Sequence, residues 1–373
     1  MDAQNNLPCN CPTITNSRFG AAVRVLEDAI AMGAFPGCAF GVYAHGEVLL
    51  QDARGRFTYD VGSPAVTSGT VFDLASVSKV VATTAAAMLL YQRRQLDLDA
   101  KLGGLLPEFL EGRPADDRAR EIRLRHLLAH NSGLPAYVEL FRTAATPSEL
   151  LSECMRLGVE AEPGTRGEYS DPGFILLGKA LETTAGETLG AFAAREIFKP
   201  LGMQATSFCP VPEVRDTIPP TEEDTKFRHR KIQGEVQDEN AWVLGGVAGQ
   251  AGLFSNVHNV LRFAREVLES ADGNSAKNNL FQATTVELFG KRQGPADSSR
   301  ALGWDTPSAN SSSGRYFSPH SIGHLGYSGC SLWIDLDARI AVVLLTNRTW
   351  PDRKSQLIRQ VRPAFHDAIR QAI

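Results

Sequence analysis

Ser76-Val77-Ser78-Lys79 sets a hydroxyl and an amine three positions apart. On a helix such positions share a face, so the Ser76 hydroxyl and the Lys79 ammonium can meet. A serine hydroxyl is a poor nucleophile until a base takes its proton. Lysine is that base only when burial or nearby positive charge lowers its pKa. A helix N-terminus adds positive potential and free N–H groups, which suit a developing oxyanion. The pattern alone also fits a serine N-cap and a solvated lysine. Against that bland reading, the flanking Val71, Phe72, Leu74, Val80, Val81 and Ala82 are all apolar.

Two other groups are suited to the same chemistry. Tyr169-Ser170-Asp171 follows Pro163-Gly164 and precedes Gly173. A tyrosine of lowered pKa can take a proton from serine and hand it to a leaving group. His324-Leu325-Gly326-Tyr327 comes just before the apolar run 331–336. A glycine there lets a substrate approach a strand edge, and a strand N–H can complete an oxyanion hole. Taken alone, the first reads more readily as a turn with a packed tyrosine, and His324 also fits an ordinary strand end.

The elements that must position these residues follow from periodicity. Phe19, Ala22, Val23, Val25, Leu26, Ala29 and Ile30 mark a helix with Ser17 as N-cap, ended by Gly33 and Pro36-Gly37. Residues 38–44 and 47–52 form a hairpin about His45-Gly46. Residues 70–75 lead into a helix over 76–92. Residues 95–200 read as helices broken by Gly and Pro. Residues 205–240 read as a long polar loop, and 245–252 hold four glycines, a tight path beside another element. Residues 272–279 and 308–313 read as exposed loops. A second hairpin joins 331–336 to 340–346, and a C-terminal helix over 352–373 meets Pro363, which should kink or interrupt it.

Composition narrows the function classes. The chain has 373 residues, 43% hydrophobic and 21% charged, which suits one or two globular domains. A net charge of -4 argues against nucleic acid as a partner. No apolar run reaches the ~18 residues of a membrane span. The start, MDAQNNLPCNCPTITNS, has no basic and apolar leader, so cytoplasmic is the default, with periplasmic or secreted the alternative if a leader has been lost. Six scattered cysteines read as reduced thiols, and Cys9-x-Cys11 lacks a second pair for zinc. His126 and His130 are four apart, but Leu127 stands where a metal-binding H-E-x-x-H needs Glu. Neither G-x-S-x-G nor a phosphate-binding loop occurs. The basic run 226–231 reads as a solvated loop, and Asp238-Glu239 as neighbours too close to work on one glycosidic bond.

The order and spacing of the three groups resemble the serine β-lactamase and penicillin-binding protein superfamily, in its class C-like branch, closest to family VIII carboxylesterases. Further blocks carry the resemblance: 72–76, 124–135, 169–174, 245–254, 326–329 and 344–348, nearly the whole chain. It implies an α+β fold, with an antiparallel sheet flanked by terminal helices (residues 17–75 and 205–373), a mostly helical domain (76–204) and a flexible leader (1–16). It also implies Ser76 as acylated nucleophile, Lys79 as the group sharing its proton and Tyr169 as general base. The backbone N–H groups of Ser76 and Tyr327 would form the oxyanion hole. Asp171, His324 and Gly326 would contact substrate. No metal or cofactor is implied. Oligomeric state is not given.

Two departures matter. Asp171 stands where the family usually has Asn, and its charge should raise the Lys79 pKa. His324-Leu325 replaces the usual Lys-Thr that anchors a β-lactam carboxylate. His324 could serve only when protonated. Losing a charge-assisted contact typically costs ~1.5–3 kcal/mol. These departures favour a carboxylesterase for small-acyl esters with weak β-lactam hydrolysis. A β-lactamase or DD-carboxypeptidase is the nearest alternative; an acyltransferase or a non-catalytic penicillin sensor is more remote.

Overall fold

The computed structural model describes residues 11–273 and 279–373. Five antiparallel strands form the central sheet: β1 (Gly37–Ala44), β2 (Glu47–Gly55), β3 (Ser321–Leu325), β4 (Ser331–Asp335) and β5 (Ile340–Thr346), in the order β2-β1-β5-β4-β3. The two expected hairpins are both present. They meet where β1 pairs with β5, with Phe40 opposite Leu344 and Val42 opposite Val342. Alternation sends Phe40, Val42 and Ala44 to one face and Ala39 and Tyr43 to the other, and both sets are buried. A sheet buried on both faces needs cover on each side.

On the first face lie α1 (Gly20–Ala31) and α5 (Ile358–Gln371). Phe19, Leu26, Val361, Phe365 and Ile369 fill that layer with Trp333, and Phe40 meets Phe365 edge-on at 5.9 Å. Asn16, not Ser17, caps the entry, accepting from the Arg18 N–H within a short 3₁₀ turn that precedes α1. Pro363 does not interrupt α5, which runs through it. The proline falls in the second helical turn, where only the carbonyl of Arg359 loses its donor.

On the second face lies α4 (Val257–Ala271), joined by the helices of residues 85–198 in one continuous apolar core. Among these are α2 (Ala85–Gln92) and α3 (Asp171–Ala185). A small three-stranded sheet ties this layer down: Phe72–Asp73 pairs with Leu253–Ser255, which also pairs with Ser207–Phe208.

Several expectations change. The long loop over 205–240 contains a small hairpin, Glu222–Asp224 with Arg230–Ile232. Within its basic run, Arg228 is not solvated. It pairs with Asp224 at 3.0 Å and donates to the Val236 and Gln237 carbonyls. Residues 11–16, expected in a flexible leader, are fastened along β2: Ile14 bridges Gln51, and the Gln51 amide donates to the Pro12 carbonyl. The rest of that leader, Cys9 and the middle of the loop at 272–279 lie outside the described residues. Cys38, Cys154 and Cys330 are buried thiols. Among the described residues, no helix is long and apolar enough to cross a membrane.

Candidate active site

Ser76 sits at a sharp bend. Ala75 before it has φ +46°, in the left-handed region, and the Asp73 carboxylate holds the Ala75 N–H at 2.8 Å. The expected helix 76–92 is present but not uniform. It begins as a 3₁₀ turn (Ala75–Val77), widens into a π-helical stretch (Lys79–Thr84) and continues as α2. Such wide turns recur at functional sites because they re-aim side chains. Here the stretch is wholly buried, and Lys79 with it.

The Lys79 Nζ donates to Ser76 Oγ at 3.0 Å, to Asp171 Oδ1 at 2.6 Å and to the Gln250 carbonyl at 2.9 Å. Three acceptors match the three protons of an ammonium. Burial works against that charge, but Asp171, then Tyr169, outweigh it, so the Lys79 pKa is raised. This is the direction expected from Asp171. The Gln250 carbonyl reaches Lys79 because the glycine-rich segment runs tight against α3. A Cβ on Gly249 would come within 1.9 Å of the Phe174 carbonyl.

Asp171 opens α3 beside a cap built from the preceding loop. Ser170 accepts from the Gly173 N–H and donates to the Pro135 carbonyl, while its own N–H donates to His130 Nδ1. Tyr169 lies just outside that cap. The Lys79 Nζ is 4.9 Å from its ring centroid, and the His130 ring packs against it with centroids 4.5 Å apart. Its pKa corrects one expectation. Loss of solvation pushes it up, and the opposing pull of Lys79 and Ser76 does not reverse this. The resting tyrosine is a neutral phenol.

On the far wall, β3 ends at Leu325, just before Gly326. A Cβ there would lie 2.4 Å from the Leu74 carbonyl, so this glycine admits the Ser76 turn rather than a substrate. That contact brings the backbones of Ser76 and Tyr327 to one cleft. Two buried arginines fix the turn: Arg348 donates to the Tyr327 carbonyl, and Arg362 to those of Gly326, Gly329 and Cys330. His324 is 2% exposed. Its Nδ1 bonds the Leu325 carbonyl at 2.8 Å, and its Nε2 has no partner among the described residues. Burial, then the charge of Arg300, pushes its pKa well below the ordinary value. In the ligand-free cleft His324 is therefore held toward its uncharged form.

The cleft between these walls encloses about 680 Å³ and is lined by Ser76, Tyr169, Asp171, His324, Gly326 and Tyr327. All the chemistry-bearing residues picked from sequence except buried Lys79 line it, and Lys79 reaches it through Ser76. The Beta-lactamase family profile matches residues 22–363. The chain belongs to the beta-lactamase family. An N-acetylmuramyl-L-alanine amidase of Bacillus subtilis (strain 168) is 30% identical over 357 residues, covering 87% of this chain and 80% of that protein. Two solved structures share the fold of this beta-lactamase family member. EstCE1, a hydrolase with promiscuous acyltransferase activity, matches with a TM-score of 0.74 and 24% identity over 94% of this chain and 99% of its own. A penicillin-binding protein homologue from Caulobacter crescentus matches with a TM-score of 0.76 and 16% identity over 97% and 99%.

Sequence reasoning missed three groups and set a fourth, Asp238, aside. Asp73 holds the nucleophile's bend, and Arg362 holds the Tyr327 turn. Asp238, at the cleft wall, is pushed up to about 6 by desolvation and then by Asp171. Arg300 lines the cleft with its guanidinium 5.1 Å from the Tyr169 ring centroid. The only trace of Arg300 in the sequence is a single cation ahead of an apolar turn, Ala301-Leu302-Gly303-Trp304.

Proposed function

We propose that this protein is a serine hydrolase that works through an acyl-enzyme on Ser76, with small-acyl carboxylic esters as its favoured substrates and weak action on β-lactams. The observation that carries the proposal is the 3.0 Å contact between Lys79 Nζ and a serine oxygen on the cleft wall. Because Lys79 donates to Ser76 Oγ, the serine's own proton is directed elsewhere, and Tyr169 is the neighbour placed to relay it. The resting Lys79–Asp171 pair and neutral Tyr169 hold one proton too many for attack. The reactive form has lost one from the Lys79–Tyr169 pair, so ester turnover rises toward alkaline pH. Ser76 Oγ then bonds the carbonyl carbon and its proton passes to this pair. The same pair returns a proton to the departing alkoxide. Water repeats the sequence to free Ser76. The oxyanion is assigned to the N–H groups of Ser76 and Tyr327. The neutral His324 supports ester over β-lactam turnover, since a neutral ester needs no carboxylate anchor.

Amide hydrolysis is a second reading. The cleft is large and charged for a small ester, and the Bacillus subtilis relative is named an amidase. Initial rates on p-nitrophenyl butyrate, nitrocefin and N-acetylmuramyl-L-alanine separate the readings. Ester turnover that disappears in Ser76→Ala, with nitrocefin slower by orders of magnitude, is the expected result. Dominant release of L-alanine moves the assignment to an amidase, and faster nitrocefin turnover moves it to a β-lactamase. Activity that survives in Ser76→Ala overturns the mechanism.

A further inference from the structure

We infer that Asp73 is a positioning residue for the oxyanion hole, setting the spacing of its two N–H groups from a buried place outside the cleft. The inference rests on the proposed Ser76 acyl-enzyme, whose oxyanion is assigned to the N–H groups of Ser76 and Tyr327. Those groups lie far apart in the chain. Something must hold them together, because an oxyanion donor works only within about 2.7–3.1 Å of the developing charge.

Three oxygens of Asp73 each hold a different segment of the cleft. Oδ1 accepts from the Ala75 N–H at 2.8 Å, one residue before Ser76. The backbone carbonyl accepts from the Ser328 hydroxyl at 2.8 Å, one residue after Tyr327. The Cys330 thiol gives that carbonyl a longer contact at 3.6 Å. Oδ2 accepts from the Gln237 N–H at 2.8 Å, one residue before Asp238. Asp73 is itself fixed by its pairing with Phe254. One residue, 2% exposed, therefore joins both halves of the oxyanion hole.

The charge of Asp73 fits this role better than a space-filling one. Its side chain faces two N–H donors and so needs two acceptors, which a carboxylate has and asparagine lacks. A neutral side chain would fill the space at lower desolvation cost. Burial pushes the carboxyl up to about 6, opposed by the two N–H bonds and then by the charge of Arg228, so the ionised form prevails at neutral pH. Among the described residues no ion pair reaches Asp73, and Arg228 is already matched by Asp224. Ala75 also has φ +46°, a conformation that a residue with a side chain keeps only where its surroundings impose it. The bond from the Ala75 N–H to Asp73 is such a constraint.

The test compares wild type with Asp73→Asn, which keeps the size and turns one acceptor into a donor. With p-nitrophenyl butyrate, kcat should fall about 10–100-fold, as expected for displaced rather than deleted donors. KM should stay within about twofold, because the lost interaction belongs to the transition state. Butaneboronic acid forms a tetrahedral adduct on Ser76 and places an oxygen in the hole. Its Ki should weaken by the same factor as kcat/KM. A variant that is merely less folded has fewer active molecules, which lowers kcat and leaves this Ki unchanged. Ser328→Ala cuts the link on the Tyr327 side and should repeat the pattern more weakly. The double variant should lose less than the product of the two single losses, since both act on one hole. Amide hydrogen exchange reads the link without turnover: Asp73→Asn should speed exchange in both 75–77 and 326–329. An unchanged boronate Ki, independent losses in the double variant, or faster exchange confined to 75–77 overturns the inference. If Asp73→Asn does not fold, Ser328→Ala decides through the boronate Ki and through exchange at 75–77, across the link. If Ser76 takes up no acyl group, seen as an absent mass increment, the hydrolase reading fails while the exchange result still judges Asp73.

Discussion

The two walls of the cleft are built on opposite principles. At the Ser76 wall the buried cation is matched: three protons on Lys79 meet three acceptors, and Asp171 balances the charge. At the His324 wall matching stops. Among the described residues His324 Nε2 is buried without a partner, and the Arg300 guanidinium has no hydrogen bond, only a long ion pair with Asp305 at 3.9 Å. Buried polar groups are rarely left unpaired, because each costs the water it gave up. The Ser76 wall thus holds its charged pair by its own short contacts. The other wall leaves its cation with one long ion pair. The contrast separates reaction from recognition.

The largest expected effect breaks the matched wall. Lys79→Met removes the group that shares the Ser76 proton and leaves Asp171 without its cation. Loss of a positioned acid–base group typically costs about 10²–10⁴-fold, so kcat for p-nitrophenyl butyrate should fall by that order. KM should change little, because Lys79 is fully buried and lies behind Ser76. A KM effect larger than the kcat effect would show that Lys79 belongs to recognition, and the two walls would no longer differ in kind.

The Ser76 wall was also the more legible in sequence. Serine and lysine three apart state their own contact once a helix is granted. The hairpins were visible because paired apolar runs joined by a short turn leave few other options. The Lys79–Asp171 pair joins residues 92 apart, and only the family resemblance brought them together. What escaped depends on burial, which residue type does not announce. Tyr169 was expected to have a lowered pKa, but desolvation outweighs its cationic neighbours. Arg228 sits in a run of bases and looked solvated; Asp224, four residues earlier, together with two carbonyls draws it inward. Arg300 is placed by a two-bridge extension of the sheet edge, too short to leave a pattern.

A smaller effect sharpens the contrast through pH. Asp171→Asn keeps an oxygen that can accept from Lys79 and removes only the charge. Asp171 favours the ammonium, whereas burial favours the neutral amine. Without the carboxylate, burial prevails and the Lys79 pKa falls. The proton that blocks attack is then lost at lower pH, so the alkaline rise of ester kcat should begin at lower pH than in wild type. A rise that stays in place would mean that Asp171 does not control the working proton.

The smallest effect is an absence of change at the unmatched wall. His324 and His130 are held uncharged by burial, with Arg300 adding its repulsion. Their ring ¹⁵N shifts should therefore stay those of neutral imidazoles from pH 8 to about 5.5, below the ordinary histidine value of about 6.5. His324 should remain the Nδ1–H tautomer, because that proton is donated to the Leu325 carbonyl. A His324 that titrates within that range would put a second cation beside Arg300 on this wall.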